Sequence, residues 1–223
     1  VLPPLTAHAP PARGLFVAFE GGDGAGKSTQ ARLVAQALQG RGLRVVTTRE
    51  PGGTTVGAAI REVLLHGEHV APRAEALLFA ADRAHHAATV VRPALAAGAV
   101  VLCDRFMDSS VAYQGAARGL AHAEVRQLSL WATEGLVPHL TVVLDVDAAS
   151  AVARRGKEPD RLERESLDFH ERVRAGFLAL AEADPGRYLV LEATRPPRQL
   201  AEAVLAALEP QLAQVAADQG AAS

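Results

Sequence analysis

The chain has 223 residues, 49% of them hydrophobic and only 4% aromatic, enough for one α/β-sized core built mainly from Ala, Val and Leu. A formal net charge of −2 argues against a general nucleic-acid or membrane-binding surface, and no apolar stretch is long enough to span a bilayer. A single cysteine, Cys103, excludes an internal disulfide and points to a reducing, cytoplasmic setting. Residues 1–13, rich in Pro and Ala, are expected to form a disordered N-terminal extension, and 14–218 a single domain.

In chain order, apolar runs alternate with helical patterns. Residues 15–19 (LFVAF) form a short, buried strand pattern. Gly21-Gly22-Asp23-Gly24-Ala25-Gly26-Lys27-Ser28 follows and fits the G-x-x-x-x-G-K-[ST] phosphate loop. Residues 28–38 then place Leu33, Val34, Ala37 and Leu38 at helical spacing. A second strand is expected at 44–48 after the turn Gly40-Arg41-Gly42, and a loop through Pro51-Gly52-Gly53. Helices are expected over 56–65 and over 73–97, the second bent near Pro93. A third strand follows at 99–103, then helices over 109–117 and 122–134, and a fourth strand over 140–146. A helix from about Ala148, a long one from Leu162, a fifth strand at 188–191 and a closing helix over 196–217 complete the pattern.

Continuous apolar strands separated by helices imply a parallel sheet buried on both faces. The expected architecture is therefore a three-layer α/β P-loop NTPase fold, a five-stranded parallel sheet flanked by helices. Ligands of such folds bind at the carboxyl ends of the strands, which directs attention to the loops after Phe19, Thr48, Cys103 and Val146.

Glycines let the phosphate loop bring its backbone N–H groups onto oxygen atoms that a side chain would keep away. The helix that starts there adds its positive end, Lys27 a point charge for the outer phosphates, and Ser28 a hydroxyl suited to Mg²⁺. A nucleoside triphosphate is the ligand this predicts. Asp104-Arg105-Phe106 follows the third strand on the same sheet edge; there Asp104 can hold Mg²⁺ directly or through water, and Arg105 can grip phosphate oxygens. The alternative is an Asp that caps the next helix, with Arg105 as its surface partner. Phe79 and Arg83 share a helix face and could read a base, although such spacing by itself more often marks a core ring and a solvated cation. Residues 153–161 carry Arg154, Arg155, Lys157 and Arg161 around Gly156 and Pro159, a basic lid over a phosphotransfer site or else a solvated loop. His85 and His86 are adjacent on a helix and point apart, which disfavours a metal pair. Trp131 and Cys103 are expected in the core.

Together these motifs resemble thymidylate kinase over nearly the whole chain after Arg13. The resemblance rests on the run from Phe19 to Thr29 (FEGGDGAGKST), on Thr48-Arg49-Glu50-Pro51-Gly52-Gly53-Thr54, on Leu78-Phe79-Ala80-Ala81-Asp82-Arg83, on Asp104-Arg105-Phe106 with Tyr113-Gln114-Gly115, and on Asp160-Arg161-Leu162-Glu163. It implies a fold of the nucleoside monophosphate kinase type, phosphorylation of dTMP to dTDP with Mg²⁺ and ATP as donor, and a homodimer. ATP would lie on Gly21, Gly22, Asp23, Gly24, Ala25, Gly26, Lys27, Ser28, Thr29 and Arg154, with 191–196 beneath the adenine.

The same resemblance gives Phe79 the stacking contact with thymine and Arg83 a bond to its O4, with Pro51 near the methyl. Tyr113 would crowd the sugar 2′ position, Arg49 would help hold the acceptor phosphate and Arg105 would bridge the two phosphates. Asp23 would lie near the sugar 3′-hydroxyl with Glu163 in the same region, while Ser110 and Gln114 complete the dTMP set. The implied metal set is Ser28, Asp104, Asp23 and Glu163. The implied catalytic set is Lys27, Arg105, Asp23, Arg154 and Arg155. Gly24 stands where some relatives carry an arginine, so the transition-state charge would come from Arg154, Arg155 or Lys157 in the lid. Phe106 stands where the family has a tyrosine, and Leu162 where some members have an aromatic. Two other readings share the phosphate loop: a deoxynucleoside kinase acting on a sugar hydroxyl, and a nucleotide-dependent switch that hydrolyses ATP slowly. The arginine in the loop at 49–54 disfavours the first. The Phe79–Arg83 pair disfavours the second.

Overall fold

A computed structural model describes residues 13–154 and 159–220. Its sheet has five strands: β1 (Leu15–Glu20), β2 (Val45–Arg49), β3 (Val100–Asp104), β4 (Leu140–Asp145) and β5 (Tyr188–Glu192). All pairings are parallel and the order is β2-β3-β1-β4-β5. The period of two along β1 divides the core. Leu15, Val17 and Phe19 pack with α1 (Lys27–Gly40) and α9 (Pro197–Gly220) on one face, while Phe16 and Ala18 pack under α4 (Arg92–Ala96) and α6 (His122–Ala132) on the other. Covering both faces of a fully buried strand gives the three expected layers.

The remaining helices surround the carboxyl edge of the sheet. They are α2 (Thr55–Arg61), α3 (Pro72–His86), the short α5 (Met107–Ser110), α7 (Ala148–Ala153) and α8 (Leu167–Ala183). A third apolar cluster joins Leu64, Phe79, Tyr113, Leu162 and Phe177 on that side.

Several boundaries differ from the sequence pattern. Strands β2 and β3 each end one residue later, because the backbone ladder still pairs Arg49 with Asp104 where the apolar run has ended. Residues 73–97 are divided: α3 passes through a π-helical stretch, Ala87–Val91, into α4. The wide turn comes just before Pro93, whose ring and missing N–H do not fit a regular turn. π-helical stretches also extend α2 over Glu62–His66 and α5 over Val111–Ala117. The long helix expected from Leu162 starts at Leu167, capped by Ser166, whose Oγ accepts from Phe169 N at 3.2 Å. Before it, the Asp160 carboxylate accepts from the backbone N–H groups of Leu162 and Glu163, both at 2.9 Å. Trp131 is not a core residue but 57% exposed, since α6 buries the stripe Val125, Ser129 and Leu130. Cys103 is buried as expected. Among the described residues no helix is long and apolar enough to cross a membrane.

Candidate active site

The phosphate loop bridges β1 and α1 with Gly21, Gly24 and Gly26 at φ 132°, 85° and 95°, left-handed values that other residues rarely adopt. Two of these glycines also answer to close neighbours. A Cβ at Gly21 would lie 2.5 Å from the Leu144 carbonyl oxygen, and one at Gly24 would lie 2.4 Å from that of Ala151 in α7. Helix α7 thus rests on the phosphate loop at Gly24.

Lys27 is buried and its Nζ donates to the carbonyls of Gly22 at 2.7 Å and Gly21 at 3.2 Å. Burial, then the Arg105 guanidinium, bring its pKa down to about 8. Beside it the Ser28 hydroxyl donates to the Asp104 carboxylate. The two oxygens that would receive Mg²⁺ are therefore already side by side, at the carboxyl end of β3.

Arg105 is a non-glycine residue at φ 69°, a strained conformation of the kind found at functional sites. The local chain is pinned around it. Arg105 N donates to Phe19 O at 2.9 Å, and Phe106 N to Glu20 Oε1 at 2.8 Å. Glu20 is fully buried and also accepts from Ser109 N at 3.2 Å and Ser109 Oγ at 2.6 Å; burial, then Asp108, raise its pKa to about 7. The Arg105 guanidinium is turned back across the phosphate loop. It donates to Gly21 O and Ser109 Oγ at 3.0 Å each, to Asp23 Oδ1 at 2.5 Å and to Tyr113 OH at 3.2 Å. Tyr113 OH in turn donates to Asp23 Oδ2 at 2.8 Å. Burial disfavours ionisation of Asp23, but Arg105, Lys27 and the Tyr113 hydrogen bond outweigh it and hold the carboxyl well below its usual range.

Two connected clefts open over this framework. The phosphate cleft, open to solvent, spans about 1010 Å³ with that solvent included and is lined by Gly24, Gly26, Lys27, Ser28, Thr29, Arg49, Asp104, Arg154 and Glu163. Gly21, Gly22 and Ala25 carry the loop beneath that surface, the first two through the carbonyls that Lys27 grips. A narrower cleft of about 470 Å³ is lined by Pro51, Leu65, Phe79, Ser110, Tyr113, Gln114, Asp160 and Leu162. Asp23, Glu50, Arg61 and Arg105 line both. The narrow cleft combines a flat apolar wall with unfilled polar capacity, for the buried Ser110 Oγ has no hydrogen-bond partner among the described residues. That combination suits a planar, polar-edged ring.

Most of the expected residues meet here, with three qualifications. Arg83 lies one layer below the cleft, 1% exposed, and donates to Glu50 Oε2 at 2.8 Å, Ser129 Oγ at 3.1 Å and Phe106 O at 3.1 Å. Its observed role is to hold Glu50, which does line the cleft, rather than to face the cleft itself. Arg154 NH1 donates to Ala193 O at 3.0 Å, which ties the end of α7 to the loop before α9. Arg155 and Lys157 lie outside the described residues. Of the four expected metal ligands, Asp23 is occupied by Arg105 and Tyr113, and Glu163 Oε2 accepts from Asp160 N at 3.0 Å. No group of three or more His, Cys, Asp or Glu side chains gathers as a metal site among the described residues.

The pattern gave no signal for Arg61, whose NH1 donates to Pro51 O at 3.0 Å and whose guanidinium reaches both clefts from the end of α2. Burial, then Arg49, lower its pKa. It lies outside every motif, as do Ser109 and the buried His86. His86 bonds Thr48 Oγ1 at 2.7 Å and Glu50 Oε1 at 2.8 Å, and so fixes the loop after β2 from behind.

A model of the thymidylate kinase family matches residues 19–204. A thymidylate kinase from Leifsonia xyli subsp. xyli is 60% identical over 200 residues, covering 88% of this chain and 95% of that protein. One from Clavibacter michiganensis is 59% identical over 86% of this chain and 92% of its own length. A crystal structure of thymidylate kinase from Ehrlichia chaffeensis superposes with a TM-score of 0.74 at 31% identity, covering 89% of this chain and all of that one. With a phosphate loop, a strained arginine and a base-sized cleft in one groove, and with these relatives along almost its whole length, the chain belongs to the thymidylate kinase family.

Proposed function

We propose that this kinase transfers the γ-phosphoryl group of ATP to dTMP, with the triphosphate in the phosphate cleft and the pyrimidine in the narrow cleft. The observation that carries this reading is the wall the two clefts share: Arg105, Asp23, Glu50 and Arg61. Two phosphorylated ligands placed end to end there meet at Arg105.

Lys27 and the N–H groups at the start of α1 hold the outer phosphates of the donor. Arg49 and Arg61 hold the acceptor phosphate, and Arg105 spans the two as negative charge spreads during transfer. Phe79 and Pro51 flank the base. Tyr113, anchored to Asp23, closes the space beside the sugar. The acceptor is already ionised, so alignment and charge supply most of the rate and no strong general base is needed. Arg154, which lines the phosphate cleft, adds further positive charge there. Ser28 Oγ and the Asp104 carboxylate would hold Mg²⁺, which takes one or two protein oxygens beside phosphates and water, and the chemistry it would supply there is neutralisation of phosphate charge. Asp23 and Glu163 belong to the surrounding shell.

We assign a second copy of the chain to the face of α3 and α6. Leu77 and Trp131 are 58% and 57% exposed there, beside a groove lined by Ala76, Leu120, Val125 and Leu128. A cytoplasmic location accords with the buried, unpaired Cys103.

The test is ADP release measured with dTMP, dUMP, thymidine or no acceptor. Release that depends on dTMP, with thymidine and the acceptor-free reaction at background, is the expected outcome. Equal turnover with thymidine would replace this reading with a deoxynucleoside kinase, and acceptor-independent turnover with a nucleotide switch.

A further inference from the structure

Behind the narrow cleft, on the side away from the phosphates, a buried carboxylate has no part in phosphate chemistry. Glu75 of α3 is 0% exposed, and its Oε1 accepts from Gln114 Nε2 at 2.9 Å. Two guanidiniums hold it in place. Arg161 NH2 approaches Oε2 at 2.5 Å and Arg118 Nε approaches Oε1 at 3.4 Å. Each arginine is anchored in turn: Arg161 Nε donates to Leu64 O at 2.7 Å, and Arg118 NH1 pairs with Glu165 at 2.7 Å. The carboxylate cannot turn away without breaking both ion pairs.

We propose that Glu75 is a positioning residue that sets the pyrimidine specificity of the cleft by fixing the orientation of the Gln114 amide. An ionised carboxylate only accepts hydrogen bonds, so it can be satisfied only by the NH₂ end of the amide. Gln114 is 1% exposed and lines the cleft. With Nε2 committed to Glu75, Oε1 is the end left for a ligand. The cleft therefore presents a fixed acceptor. Thymine and uracil carry an N–H at N3 that meets it, whereas cytosine carries a lone pair at N3 that is repelled. A buried site that hydrogen-bonds one pattern discriminates strongly against the other, because the mismatch leaves polar groups unpaired. An amide free to rotate would serve either base, so the selectivity resides in the carboxylate behind it. This inference rests on the base occupying the narrow cleft.

The test compares kcat/KM for dTMP and dCMP in wild type, in Glu75→Gln and in the exchange variant Glu75→Gln with Gln114→Glu. A glutamine at 75 can donate to Gln114 Oε1 and turn the Nε2 end into the cleft. The dTMP-to-dCMP ratio is expected to fall at least about tenfold, the size of one well-made base contact. In the exchange variant the donor sits at 75 and the acceptor at 114, so the preference for dTMP is expected to return. The imino proton of bound, N3-labelled dTMP should be observed by NMR in wild type and in the exchange variant, and be lost in Glu75→Gln. An unchanged ratio in Glu75→Gln, accompanied only by a lower Tm, would overturn the proposal. So would an exchange variant without dTMP preference, which decides the matter even if the single variant does not fold. Phe79→Ala separates the two levels of the inference. A raised KM for dTMP in that variant together with an unchanged Glu75→Gln ratio overturns the role of Glu75 alone, whereas an unchanged KM overturns the placement of the base as well.

Discussion

Arg105 concentrates the chemistry of the site in one side chain. Its backbone stands at φ 69° and its guanidinium binds two loop oxygens, a serine and a tyrosine. Asp23 keeps this cation in place before substrate arrives, and preorganised charge is worth most where water is excluded. Arg105→Ala should lower kcat by about 100-fold or more while changing the KM for ATP only a few-fold; steady-state kinetics with each substrate varied in turn would separate the two effects. Lys27 gives a pH dependence. Its pKa of about 8 is lowered, so the free site holds the lysine charged below that value and neutral above it. Triphosphate favours the charged form, so affinity should weaken as pH rises through about 8 and binding should take up a proton there. Calorimetry of a non-hydrolysable ATP analogue in buffers of different ionisation enthalpy reads both quantities, and Lys27→Met should remove the proton uptake.

Among the helices, α7 packs directly on the phosphate loop. Gly24 touches the Ala151 carbonyl with no room for a methyl group, and its φ of 85° disfavours one independently. Gly24→Ala should therefore lower the Tm, at a cost of about 1–3 kcal/mol, and raise the KM for ATP more than that for dTMP. Thermal unfolding with and without nucleotide, beside the two KM values, tests this. The strands and the phosphate loop were legible because their signals are local, as in the unbroken apolar run of β1 followed by its glycines. The π-helical stretches were not. Pro93 marks a bend in the sequence but not its form, and the stretches at Glu62–His66 and Val111–Ala117 contain no proline to mark them. Trp131 lies outside the core for a related reason: a large apolar side chain is buried only when its helix turns that face inward, and α6 turns Val125, Ser129 and Leu130 inward instead.

For the whole molecule, the strand order β2-β3-β1-β4-β5 brings the ends of β1, β2 and β3 side by side. Glu20, Arg49 and Asp104 thereby arrive on one edge although they are far apart in the chain. The face of α3 and α6 is the other feature of this scale. If the proposed second copy sits on this face, replacing exposed Leu77 and Trp131 by glutamate should leave the chain monomeric, as measured by sedimentation across a concentration series. The phosphate loop and the Asp104-Arg105 pair are legible in the sequence because each is a run of adjacent residues, and the layers and the family resemblance because such local runs recur in a fixed order along the chain. Only the tertiary structure decided that Arg83 holds Glu50 from beneath the cleft, that Arg61 reaches into it, and that Glu75 stands behind Gln114. Those three depend on side chains from different helices converging on one point, and such convergence is set by packing and desolvation rather than by spacing along the chain.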